Sequence, residues 1–141
     1  MFSLDPRLQG DTFHLGDLPL CRLLLSNDSQ YPWFILVPRV AGASEVFDLA
    51  PADQQALWAE SSWLGEAVKR AFDARKVNIA NLGNVVGQLH MHVIARFAED
   101  PAWPGPVWGK LPARPYSGEE VEHLLQRLKA HTDGRIEWVQ A

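Results

Sequence analysis

The sequence predicts an α+β fold: a mainly antiparallel sheet of five strands with two helices. Three observations carry this expectation. Short apolar runs alternate with a period of two, two other stretches repeat at helical spacing, and clusters of turn-forming residues separate them. At 141 residues the chain is long enough for a real hydrophobic core. No repeat or linker divides it, so residues 1–141 read as a single domain.

Leu20 to Ser26 and Trp33 to Pro38 read as strands around the turn-rich "SNDSQYP", and a hairpin is their simplest joining. Pro32 and Pro38 stand at the ends of the second strand, where a missing N–H costs least. From Pro51 to about Ala74 the period changes. Leu57, Ser61, Leu64, Val68 and Phe72 form a helical stripe, and Pro51 suits a first helical turn. Lys76 to Leu82 and Leu89 to Ala95 are two more strands, joined through Gly83-Asn84. An irregular excursion follows, stiffened by Pro101, Pro104, Pro106, Pro112 and Pro115 and carrying Trp103 and Trp108. It reads either as a functional loop or as a cap anchored on one end of the core. Ser117 and Glu120 have capping-box spacing and open a helix with the stripe Val121, Leu124, Leu125 and Leu128. The final "RIEWVQA" alternates like a short strand or a docking tail.

Bulk properties exclude several classes of function. A composition 47% hydrophobic and 21% charged belongs to a folded, soluble chain. A net charge of −4 with scattered Lys and Arg provides no footprint for nucleic acid. The apolar runs fall far short of the roughly 20 residues that span a bilayer, so no membrane partner is expected. The beginning "MFSLDPRLQG" has an early Asp and lacks the basic and apolar regions of a signal peptide. Cys21 is the single cysteine, which fits a reducing compartment, and the cytoplasm is the expected location. A small phosphorylated ligand remains compatible, because backbone N–H groups and imidazoles can hold it without a basic field.

The chemistry concentrates in "LGNVVGQLHMHVIAR", Leu82 to Arg96. On a strand Leu89, Met91, Val93 and Ala95 share one apolar face, while Gln88, His90, His92 and Ile94 share the other. From spacing alone three readings stay open. The two histidines are a solvent-facing pair, or two ligands of a metal, or a nucleophile with a partner acid acting on phosphorus. A metal would need further ligands, and His14, His123 and His131 lie far away in sequence.

"NIANLGNVVGQLHMHVIAR" resembles the signature segment of the histidine triad (HIT) superfamily of nucleotide hydrolases and transferases, His-x-His-x-His with apolar residues between. The similarity extends upstream through "LLLSNDSQYPWFILVPR" and "VFDLAP", covering about residues 20–96; residues 97–141 add the Pro/Trp-rich loop, a helix and the tail. The resemblance implies a nucleophilic His90, a His92 that contacts phosphoryl oxygens or the leaving group, and Gln88 in the seat of the first, supporting histidine. It further implies Gly83 and Asn84 at the phosphate and Asn27 near the ribose. Gln88 is a departure, since an amide donates and accepts hydrogen bonds but takes no proton near neutral pH. The galactose-1-phosphate uridylyltransferase branch tolerates Gln at the third position, and a group of bacterial HIT-like proteins shares Gln-x-His-x-His followed by "DPAWPGPVW".

The function so implied is hydrolysis or nucleotidyl transfer at the α-phosphorus through a nucleotidyl-histidine. The partner would be a nucleotide, nucleoside phosphoramidate or polyphosphate. The scheme needs no metal and no other cofactor. The alternatives are a nucleotide-binding protein without turnover and a metal-binding protein using His90 and His92. Relatives of this type pair into one continuous sheet, so a homodimer is expected, with Trp58, Trp63 and the prolines after Pro101 as apolar contact surface.

Overall fold

A computed structural model describes residues 1–139. Its elements follow from local rules. Asp5 accepts a hydrogen bond from the Arg7 N–H and Pro6 occupies the first turn, opening the short helix α1, Pro6–Asp11. Strands β1 (Thr12–Asp17), β2 (Cys21–Ser26) and β3 (Trp33–Pro38) then run as an antiparallel meander. After a 3-10 turn at Val46–Asp48 comes the long helix α2, Pro51–Phe72, with the expected stripe buried along its length. It ends at Asp73, in the left-handed region at φ 51°. Strand β4 (Lys76–Ala80) leads through an extended loop into β5 (Met91–Arg96). The capping box of Ser117 and Glu120 opens α3, Gly118–Lys129, and β6 (Glu137–Trp138) closes on β1. Gln140 and Ala141 of the anticipated tail lie outside the described residues.

The sheet has six strands in the order β4-β5-β3-β2-β1-β6, every pair antiparallel. The α+β class is as expected, but one strand and one helix more than expected are present. The additions are β1 and α1. A six-residue helix is too short to reveal a period, and Gly16 and Asp17 dilute the strand signal of "TFHLGD". Gly16 is needed where it stands: a Cβ there would lie 2.6 Å from the Glu137 carbonyl oxygen of β6.

The two faces of the sheet have separate roles. Leu23, Leu25, Phe34, Leu36, Met91, Val93 and Ala95 pack with Leu57, Leu64 and Val68 of α2 and Leu124 and Leu128 of α3 to form the main core. Cys21 belongs to this core; burial pushes its thiol pKa up and leaves it inert. Trp63 packs on the same core, whereas Trp58 is 52% exposed. On the opposite face Leu24, Ile35 and Val37 meet Phe2, Leu4 and Leu8 of the N-terminal segment, while Ile94 meets Ala102 and Val107 of the Pro/Trp-rich loop. The histidines lie on this second face, between those two covers.

One buried ion pair shapes the loop. Arg96 donates to both carboxylate oxygens of Asp100, at 2.9 and 3.1 Å, and also to Asn78 Oδ1 and the Gly105 carbonyl. Asp100 in turn accepts from the backbone N–H groups of Phe97, Ala102 and Trp103. The turn that begins the excursion is thus built around one carboxylate, and it carries Val107, Trp108 and Gly109 over the histidine face. Among the described residues no helix is long and apolar enough to cross a membrane.

Candidate functional site

Register explains why the histidines meet these neighbours. His92 pairs with Ile35 across β5 and β3, and Trp33 pairs with Ile94, so Trp33 is the diagonal neighbour of His92 on the same face. His90 stands one residue before β5 and keeps the alternation: Leu89 and Met91 enter the core while His90 and His92 turn the other way. The two rings lie 4.8 Å apart between centroids, at 71°.

Hydrogen-bond partners fix both tautomers. The Gln88 carbonyl can only accept, so His90 Nδ1 carries the proton and donates to it at 2.7 Å. His90 Nε2 therefore keeps its lone pair, and no protein group among the described residues engages it. His92 is held the opposite way round. The Trp33 indole can only donate, and it donates to His92 Nδ1 at 3.0 Å; His92 Nε2–H then donates to the Leu82 carbonyl at 3.0 Å. Burial lowers the His92 pKa to about 4, the Leu82 bond opposes the drop, and neighbouring His90 adds to it. His92 is a neutral imidazole with both nitrogens occupied.

Both rings line a cavity of about 410 Å³, bordered by Trp33, Trp108 and the loop from Leu82 to Val86. Among the described residues, no backbone N–H from Gly83 to Gln88 is donated to another protein group. An anion entering here meets free amides and the Asn84 side chain, with no Lys or Arg in the lining. Gly83 is where the loop comes closest to the nucleophile candidate. A Cβ there would sit 2.8 Å from the Val86 carbonyl oxygen and 3.3 Å from His90 Cε1. Gly83→Ala is expected to displace His90 and lower any turnover on the order of 10²-fold, as small misplacements do, with a far smaller change in unfolding midpoint. Rates together with denaturant melts check this.

The structure thus brings together His90, His92, Gly83 and Asn84. Asn27 lies in an adjoining cavity of about 460 Å³, which shares Trp33, Trp108 and Gly109 with the first. Asn27 Oδ1 there accepts from the Tyr116 N–H, and the buried Asp28 beside it holds Gln30 and the Arg114 N–H. Gln88 is directed elsewhere. Its amide donates to the Ser3 carbonyl at 2.9 Å and accepts from the Asp5 N–H at 2.8 Å, so it clamps the N-terminal segment. Only its backbone carbonyl serves His90. Among the described residues no third His, Cys, Asp or Glu joins the two histidines in a metal-binding group.

Two residues that line this site were not singled out from sequence. Trp33 fixes the state of His92, and Trp108 stacks edge-on against His92 with centroids 5.0 Å apart. The Trp108 Nε1–H is buried without a hydrogen-bond partner. The β3–β5 register would have flagged Trp33, but that register is not readable from a single strand.

Fold and site together define an α+β protein built around a histidine pair on the open face of an antiparallel sheet. The chain belongs to the histidine triad family: the HIT domain matches residues 7–99. The match runs beyond the resembling segment at its N-terminal side and takes in α1 and β1. A histidine triad (HIT) protein of Sinorhizobium meliloti 1021 is 46% identical, with TM-score 0.91 over 94% of this chain and 98% of that one. A histidine triad protein of Marinobacter aquaeolei VT8 is 49% identical, with TM-score 0.90 over 93% and 96%. Another, of Bradyrhizobium japonicum, is 43% identical, with TM-score 0.90 over 92% and 97%. Comparison with curated proteins finds no match.

Proposed function

We propose that this protein is a nucleotide hydrolase or nucleotidyl transferase that works at the α-phosphorus through a nucleotidyl-His90 intermediate. The observation that carries the reading is the His90 tautomer: Nδ1–H is anchored on the Gln88 carbonyl, and the Nε2 lone pair is left free beside a loop of unpaired amides. His90 Nε2 attacks phosphorus, and the positive charge that develops on the ring strengthens its bond to the Gln88 carbonyl. The amides of the Gly83–Gln88 loop and the Asn84 side chain hold the phosphoryl oxygens. The ribose extends past Trp33 and Trp108 towards Asn27. Water or another acceptor then takes the nucleotidyl group, and the neutral imidazole is restored. His92 orients and packs; it does not shuttle protons, because both its nitrogens are engaged. Gln88 contributes through its backbone and through the N-terminal segment it holds.

The test is to incubate purified protein with nucleoside phosphoramidates and dinucleoside polyphosphates, following nucleoside monophosphate and an acid-labile protein-bound nucleotide. Absence of both on every nucleotide tried would sink the reading in favour of a nucleotide-binding protein without turnover. That second reading draws on the lack of a proton donor in the cavity.

We also propose a homodimer. Strand β4 is a sheet edge with its outer backbone unpaired, Ile79 on it is 40% exposed, and Trp58 is bare on α2. Sedimentation at micromolar concentration should give twice the chain mass, and a monomer would refute it.

A further inference from the structure

The lining of the histidine cavity has an unusual deficit: His90 and His92 are its only titratable groups. His90 spends its single ring proton on the Gln88 carbonyl, at 2.7 Å. His92 spends its own on the Leu82 carbonyl, and its other nitrogen receives the Trp33 indole N–H. Neither ring can therefore pass a proton to a departing group. A second proton on His92 Nδ1 would have to displace the indole donor and be carried in a buried setting that disfavours charge.

We propose that Trp33 is a specificity-determining residue, and that by capping His92 it restricts the site to nucleotide anhydrides, whose leaving group departs as a stable anion without taking up a proton. This rests on the proposed attack by His90. For an anhydride the balance closes inside the cavity. The Nε2–P bond forms, the bond from phosphorus to the bridging oxygen breaks, and the electron pair leaves with a carboxylate or phosphate. The nucleotidyl-imidazolium keeps its Nδ1–H on Gln88. Water then attacks phosphorus, the P–N bond breaks to return the lone pair to Nε2, and the water proton goes to solvent. For an amidate or an alkyl ester the first step has no such closure, because nitrogen or alkoxide must gain a proton as it leaves and the lining has none to give.

The test uses aryl esters of the four common nucleoside 5′-monophosphates, from 4-nitrophenyl to phenyl, beside the matching phosphoramidates. In the wild type the rate should fall by about tenfold per unit of phenol pKa, the response of a bond that breaks without acid assistance. Phosphoramidates should be slower than the nitrophenyl ester by at least about 10²-fold. Trp33→Phe uncaps His92 Nδ1. Its slope should flatten to about threefold per unit. A residue that only packs would change the rates of all esters alike and leave the slope unmoved, which would overturn the proposal. Should Trp33→Phe fail to fold, the wild type still decides. A shallow wild-type slope, or phosphoramidate turnover as fast as the nitrophenyl ester, overturns the specificity while leaving His90 chemistry intact. No nucleotide released from any substrate overturns both.

Discussion

His90→Ala is expected to reduce turnover by a factor on the order of 10⁴ to 10⁶, the range found when a nucleophile is removed from an enzyme with a covalent intermediate. The size follows from the geometry. Nε2 of His90 is the one ring nitrogen at the cavity that retains an unshared pair, and His92 cannot take over with both nitrogens bonded. The structural cost of the change is small by comparison. One hydrogen bond to the Gln88 carbonyl is lost, worth about 1 kcal/mol, and the sheet face beneath is held by other residues. The variant should therefore fold, bind nucleotide and fail to form the protein-bound intermediate. Adding free imidazole should restore part of the rate, because a small base can enter the space left by the side chain. Turnover within about tenfold of wild type would remove His90 from the covalent role. Loss of rate without any imidazole rescue, together with an unfolded spectrum, would mean that the ring is structural.

How much of this could be read beforehand differs between the scaffold and the site. Strand β3 agrees with its sequence bounds because prolines stand at its ends, and the Ser117–Glu120 box marks the start of α3 by chemistry confined to four residues. The division of the histidine strand into a core face and an open face follows from alternation alone, and it holds even though regular pairing starts one residue after His90. Contacts between distant segments were out of reach. The amide of Gln88 is claimed by Ser3 and Asp5, some 83 to 85 positions away. That makes position 88 less an empty histidine seat than the holder of a segment that no local pattern connects to the strand. The state of His92 depends on a tryptophan 59 positions away. Periodicity can say which way a histidine faces, but its protonation is decided by partners that only the register brings near.

The second large effect is on stability. Asp100→Ala is expected to cost about 3–5 kcal/mol, the usual consequence of removing one partner of a buried ion pair. Arg96 and Asp100 have side chains only 2% and 3% exposed, so the guanidinium left behind has no route to water. Two backbone N–H groups, those of Phe97 and Ala102, lose their acceptor in the same substitution, and that of Trp103 keeps only the Asp100 carbonyl. The damage should reach the site, since the turn around Asp100 leads directly into Val107 and Trp108, and turnover should fall together with stability. The dependence on pH distinguishes this cause from simple loss of packing. Burial pushes the Asp100 carboxyl up, but the Arg96 hydrogen bond, the Phe97 N–H, the Arg96 charge and the Ala102 N–H outweigh it and hold its pKa below the usual aspartate range. A depressed folded-state pKa gives stability that is complete above the unfolded value, about 3.9, and is lost as pH falls through the folded value. Denaturant melts should therefore show the full gap between wild type and Asp100→Ala at pH 7. The gap should narrow below about pH 4, where the unfolded chain takes up a proton at Asp100 that the folded protein still lacks. A gap that stayed constant from pH 7 down to pH 3 would assign the loss to the methylene and the cavity rather than to the charge, and the ion pair would no longer account for how the Trp108 loop is held over His92.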